Sequence, residues 1–175
     1  MLQLHTPIDK KTLSSLKAGD EVLISGTIYT ARDMAHKRLC EAIDSGHKLP
    51  FPLNGAVIYY VGPSPAAEGK PIGSAGPTTS SRMDNFSPKL LEHCLAATIG
   101  KGLRGQNVRN ALQEYCGVHF SAIGGAGALL SKTIKSCELI AYPELGTEAI
   151  RKLEVESFPA VVAYDAHGGS AYREK

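Results

Sequence analysis

Apolar residues recur along this chain at two spacings. From Glu21 to Tyr29 the run EVLISGTIY is rich in β-formers and follows the turn Ala18-Gly19-Asp20, which predicts a strand or hairpin. The spacing then switches to helical, with Met34, Ala35, Leu39, Ala42 and Ile43 on one stripe. Thr30 and Asp33, three apart, resemble a capping box, and Gly46 offers the stop. Gly55 to Gly62, GAVIYYVG, is a short apolar run bounded by glycine and proline, as a buried strand would be.

Loop chemistry follows. From Pro63 to Ser81 the chain is dominated by Pro, Gly, Ser and Thr, longer than a simple connection and of the kind that carries function. Ser87-Pro88 reads as an N-cap with proline at the first helical position, opening a helix with Leu90, Leu91, Cys94 and Leu95. A further helix is expected from Asn107 to Tyr115 and a strand from Val118 to Ile123. Another helix should run from Gly124-Gly125-Ala126-Gly127 to Ile134. Glu138 to Tyr142, Leu153 to Phe158 and Ala160 to Tyr164 complete the strand candidates. Strands and helices alternate in the middle and the ends are strand-rich, so we expect one α/β domain over residues 1–175, a mixed sheet with helices packed against it.

Composition narrows the function classes. Nineteen Lys and Arg against seventeen Asp and Glu leave a net charge of +2, too little for a dedicated nucleic-acid or membrane-surface binder. No apolar run approaches the roughly 20 residues that span a bilayer, and MLQLHTPIDKK lacks the apolar stretch of a secretory signal. The reading is therefore cytoplasmic. Cys40, Cys94, Cys116 and Cys137 lie 54, 22 and 21 residues apart, without the tight pairs of a thiolate metal site. No metal ligands are assigned to this chain.

The candidate chemistry is cationic and local. Arg32 falls in the first turn of a predicted helix, where free N–H groups already favour an anion, and Asp33 and His36 follow within one turn. The same residues would also suit an exposed cationic helix. Gly76-Pro77-Thr78-Thr79-Ser80-Ser81-Arg82-Met83-Asp84 sets four hydroxyls before an arginine, which can hold a carboxylate through several donors or form a polar turn. Gly100-Lys101-Gly102 puts a point charge between two permissive residues without completing a phosphate loop. The glycine cluster at 124–127 does not satisfy GxGxxG, so a dinucleotide site is rejected. Asp165 to Gly169 is expected to be a turn. Taken together, the cations suit a small polyanion, and a dicarboxylate fits.

The motifs YTARDMAHKRL, GPTTSSRMD, IGKG and AIGGAGALL, in this order, resemble the β subunit of the class I iron–sulfur fumarate hydratases and L(+)-tartrate dehydratases. The resemblance covers nearly the whole chain and includes GAVIYYVGP and LEVESFPAVVAYD. It implies a swivelling β/β/α domain and a hydro-lyase that hydrates fumarate to (S)-malate, or alternatively dehydrates tartrate. A non-catalytic dicarboxylate-binding module is the rival from another class. The resemblance further implies a [4Fe-4S] cluster held by a partner α subunit in an α2β2 assembly, which would be active only as a pair. Transferred by motif, Arg32, Arg82 and Lys101 would bind the substrate carboxylates, Thr78 or His36 would handle the proton, and Asp33 would support them.

Overall fold

The computed structural model describes residues 1–123 and 127–172. Seven strands form one sheet: β1 (Leu2–His5), β2 (Glu21–Thr30), β3 (Val57–Tyr59), β4 (Ala97–Gly100), β5 (Val118–Ala122), β6 (Ile134–Ala141) and β7 (Ile150–Tyr164). β1 to β5 run parallel in sequence order, and β7 returns antiparallel to β5, β6 and β2. Because β2 pairs with β3 on one edge and with β7 on the other, strands β2, β3, β4, β5 and β7 close on themselves like a barrel. β1 and β6 occupy the remaining edges of the two long strands. The helices are α1 (Lys10–Ser15), α2 (Asp33–Asp44), α3 (Ser87–Glu92), α4 (Gln106–Glu114) and α5 (Gly127–Ser131), with 3-10 turns at Ser80–Met83 and Pro143–Glu148.

Side-chain alternation explains why the sheet carries a core on each face. Val57, Tyr59 and Val61 join Val22, Ile24, Ala97, Ile99, Val118, Phe120, Leu153 and Val162 in one cluster that draws on all seven strands, with Leu13 and Leu16 beside them. Ile58 and Tyr60, one residue out of step, face the other way and meet Ala35 and Leu39 of α2, Leu90 and Leu91 of α3, and Val108, Ala111 and Leu112 of α4. The first core fills the closed sheet and the second attaches the helices outside it. Among the described residues no helix is long and apolar enough to cross a membrane.

The expected mixed sheet with packed helices is what forms, and several boundaries differ. β1 and α1 were not anticipated, their short apolar stretches having no clear period. Thr30 does not cap α2, whose cap residue is Arg32 and which has no side-chain cap. Its hydroxyl instead accepts from Arg151 N at 3.0 Å and points at the Ala149 carbonyl, tying β2 to β7. Ser87 sits one residue inside α3, after Phe86, and α3 ends before Cys94. The two strands expected around Pro159 are one strand, β7, in which Ser157 takes a positive φ and Pro159 lies opposite Leu23. The helix expected to reach Ile134 stops at Ser131, and Ile134 opens β6, which absorbs most of the strand expected at 138–142. Gly124, Gly125 and Ala126 of the glycine cluster lie outside the described residues. The terminal turn forms as expected, with Asp165 accepting from the amides of Ala18, His167 and Gly169.

Candidate active site

In sheets of this kind ligands gather beyond the carboxyl ends of the parallel strands. Every sequence-predicted site residue but one comes to that edge. β2 ends at Thr30, and the chain passes through Ala31, whose amide donates to Tyr59 O at 3.1 Å, into Arg32 at the cap of α2. The long loop after β3 folds back so that Thr78 N donates to Tyr60 O at 2.7 Å, holding the hydroxyl cluster at the end of β3. Thr79 bridges to Lys101, and Ser80 N donates to Lys101 O at 2.8 Å, which joins that cluster to the end of β4.

Arg32 and Arg82 converge on one carboxylate. Arg82 contacts Asp33 Oδ2 through Nε at 3.1 Å and Nη2 at 3.0 Å. Arg32 Nε lies 3.9 Å from Asp33 Oδ1, close enough for attraction and too far for a hydrogen bond, so both atoms are buried without a hydrogen-bond partner. The Arg32 side chain crosses Gly62, where a Cβ would come within 3.0 Å of its Cδ and Nη1. With glycine there the guanidinium lies close over the backbone, and an added Cβ would make it give way by a few tenths of an ångström. The side chains of Arg32, Asp33 and Arg82 are 24%, 31% and 49% exposed, and Lys101 is exposed as well, so these groups form an open cationic face.

His36 is the exception. It is fully buried in α2, edge-on to Tyr60 at 5.3 Å and near Phe86 at 6.0 Å. Its Nδ1 donates to the carbonyl of Arg32 at 2.8 Å, which leaves Nε2 as an acceptor with no partner. Burial, and the Arg104 charge after it, lower its pKa to about 4, so the ring is neutral at physiological pH. Placed there, His36 braces the cap residue Arg32 from within and does not face the open surface.

Sequence reasoning passed over the cluster beneath this face. Arg104, 5% exposed, donates through Nε to Asp84 Oδ1 at 2.8 Å and through Nη2 to Ser87 Oγ at 2.7 Å. Its Nη1 meets Tyr60 OH at 3.1 Å and both Thr98 Oγ1 and His119 Nδ1 at 3.3 Å. His119, also fully buried, contacts Ser80 Oγ through Nε2 at 3.1 Å. The only sequence trace of this cluster is a polar residue alternating with Val118 and Phe120, which puts His119 on the helix-facing side of β5.

Among the described residues the thiols that could hold an iron–sulfur cluster lie apart. Cys40 lies on α2, Cys94 and Cys116 follow α3 and α4, and Cys137 lies on β6, all as free thiols. Among the described residues no three His, Cys, Asp or Glu side chains stand close enough together to hold a metal. The described residues do not fit the cluster as ligands.

The profile of the family described as Fumarase C-terminus matches residues 1–175. "Fumarate hydratase 2" of Leishmania major is 40% identical over 98% of this chain, which covers 31% of that protein. "Fumarate hydratase class I, anaerobic" of Escherichia coli is 41% identical over 93% of the chain and 30% of its own length. The chain thus spans about a third of the length of the fumarate hydratases it matches. By contrast, the "Putative L(+)-tartrate dehydratase subunit beta" of Methanocaldococcus jannaschii, 39% identical, is covered over 89% of its length. With a profile match from end to end and a cationic face built from the motifs that carry the resemblance, the chain belongs to the Fumarase C-terminus family.

Proposed function

We propose that this chain is the β subunit of a hydro-lyase and supplies the clamp for a small dicarboxylate, with reversible hydration of fumarate to (S)-malate as the reaction. The observation that carries the reading is the convergence of Arg32 and Arg82 on Asp33, beside Thr78 and Lys101, at the carboxyl edge of the parallel strands. Arg82 offers a planar fork to one carboxylate, Arg32 answers the other, and Lys101 adds a mobile charge. Hydration adds a hydroxyl to one alkene carbon and a proton to its neighbour, and negative charge builds on the carboxylate beside the carbon that gains or loses the proton. Fixed cations at that carboxylate lower the barrier. Thr78 Oγ is the proton-transfer group in this reading, and His36 is a positioning residue for Arg32, since its bond goes to the Arg32 carbonyl.

The partner we propose is a cluster-bearing α subunit in an α2β2 assembly, because the chain's own thiols are dispersed. The compartment we propose is cytoplasmic, consistent with four free cysteines. Tartrate dehydration is the second reading, favoured by the near-complete coverage of the archaeal subunit beta relative. Anaerobic co-expression with the α subunit, cluster reconstitution, and assay of fumarate hydration beside tartrate dehydration tests both. Turnover only in the mixture is expected, and the preferred acid selects the reading. Dicarboxylate binding by this chain alone, with no turnover in any mixture, would leave a binding module instead.

A further inference from the structure

A buried ion pair is a poor way to gain stability, because desolvation offsets most of its attraction and apolar replacements are often neutral or better. This chain nevertheless encloses Arg104 with Asp84, whose side chains are 0% and 15% exposed. What the pair holds is informative. Asp84 lies two residues after Arg82, Ser80 two after Thr78, and Arg104 three after Lys101. Both members of the pair, and Ser80 beside them, therefore anchor segments that carry the candidate site.

The protons can be assigned from the geometry. A guanidinium only donates, so with Arg104 Nη1 at 3.3 Å the Nδ1 of His119 is an acceptor. Thr98 Oγ1, 2.6 Å away, also faces that nitrogen. The ring proton then sits on Nε2 and is donated to Ser80 Oγ at 3.1 Å. Burial, and Arg104 after it, keep the imidazole neutral by lowering its pKa well below the usual value. Ser80 is seated against Gly100, where a Cβ would lie 2.2 Å from its Oγ, while its amide donates to Lys101 O. Asp84 Oδ2 accepts from Gly105 N at 2.7 Å and closes the link to the start of α4.

We infer that Arg104, His119 and Ser80 form a positioning relay that sets Thr78, Arg82 and Lys101 at fixed distances from one another, so that turnover depends on a hydrogen bond formed beneath the substrate face. The inference rests on the hydro-lyase reading for its effect on rate and on the structure alone for its effect on the loops. Three variants of the co-purified complex test it: His119→Leu, His119→Gln and Ser80→Ala. Leu fills the space without a donor, whereas Gln presents an amide N–H near the position of Nε2. We expect His119→Leu and Ser80→Ala to lower kcat about 10- to 100-fold, the scale of a small misplacement of reacting groups, with KM changed less than threefold and with the complex still folded at the assay temperature, as circular dichroism would show. His119→Gln should recover most of the rate. Equal impairment by Leu and Gln, or turnover within twofold of the parent in His119→Leu and Ser80→Ala, overturns the relay.

Failure of the hydro-lyase reading is seen separately, as a parent complex that acts on neither acid. The relay is then judged by hydrogen exchange on the chain itself. Amides at 78–84 and 100–102 should exchange at least tenfold faster in His119→Leu and near the parent rate in His119→Gln. Unchanged exchange in His119→Leu overturns it.

Discussion

Arg82 is half exposed and paired with a carboxylate that is itself partly solvated, so the pair contributes little to stability, about 0.2–1 kcal/mol. Its value lies in geometry. Replacing Arg82 by Lys keeps the charge and loses the planar fork, and we expect turnover of the complex to fall about 10- to 100-fold with an unchanged unfolding midpoint. Near-parent activity would remove Arg82 from the clamp. The two buried histidines make a different prediction. His36, lowered from 6.5 to about 4, and His119, also lowered well below 6.5, are neutral in the folded chain but bind a proton below about pH 6.5 once unfolded. Between those values the unfolded state holds more protons, so stability is full above about pH 6.5 and declines as pH falls, by at most about 1.4 kcal/mol per unit for each ring. Urea unfolding at pH 7.5 and 5.0 should show this loss. His36→Asn, which keeps a donor for the Arg32 carbonyl, should show a shallower dependence, and an identical slope would assign the loss to other groups. At this scale Arg32, Asp33, Thr78, Arg82 and Lys101 were legible because short motifs place them, whereas Arg104 and His119 were not, because nothing local in either segment announces its partner.

At the scale of elements, the site depends on how tightly the loops after β3 and β4 approach each other. Gly100 ends β4 and lies under both Ser80 and Tyr60, at 2.2 Å from Ser80 Oγ and 2.9 Å from Tyr60 Cδ2 for an added Cβ. A methyl group there must push the Ser80 turn away from the sheet. Gly100→Ala should cost about 1–3 kcal/mol and reduce turnover more than Arg82→Lys does, since Thr78, Arg82 and Lys101 move together. Thermal unfolding with parallel assay of the complex checks this, and a variant with parent stability would show that the turn yields without cost. The helical periods of α2 and α4 and the apolar runs of β3 and β5 were visible in sequence. The fate of Thr30 was not, because a hydroxyl before an acidic residue suits a cap and a cross-strand bond equally, and only the arrival of Arg151 on β7 decides between them.

At the scale of the whole molecule, β7 is the closing element, pairing with β2, β5 and β6 at once. A chain ending at Ala149 would expose the core residues Ile24, Ile28 and Phe120 and leave both β2 and β5 without their antiparallel neighbour. It should lose cooperative unfolding altogether, as circular dichroism against temperature would show, and a sharp transition would mean that the five parallel strands suffice without closure. Sequence alone determined the alternation that gives the sheet two apolar faces, the stripe that packs α2 against one of them, and the motifs that identify the family, because each depends on residues only a few positions apart. Tertiary structure alone decided that β7 is one strand closing a ring, that His36 faces inward, and that a buried arginine underlies the cationic face. Those outcomes come from pairings across tens of residues, such as Arg104 with Asp84 and His119 with Ser80, where burial and hydrogen-bond satisfaction select the partner and local propensity does not.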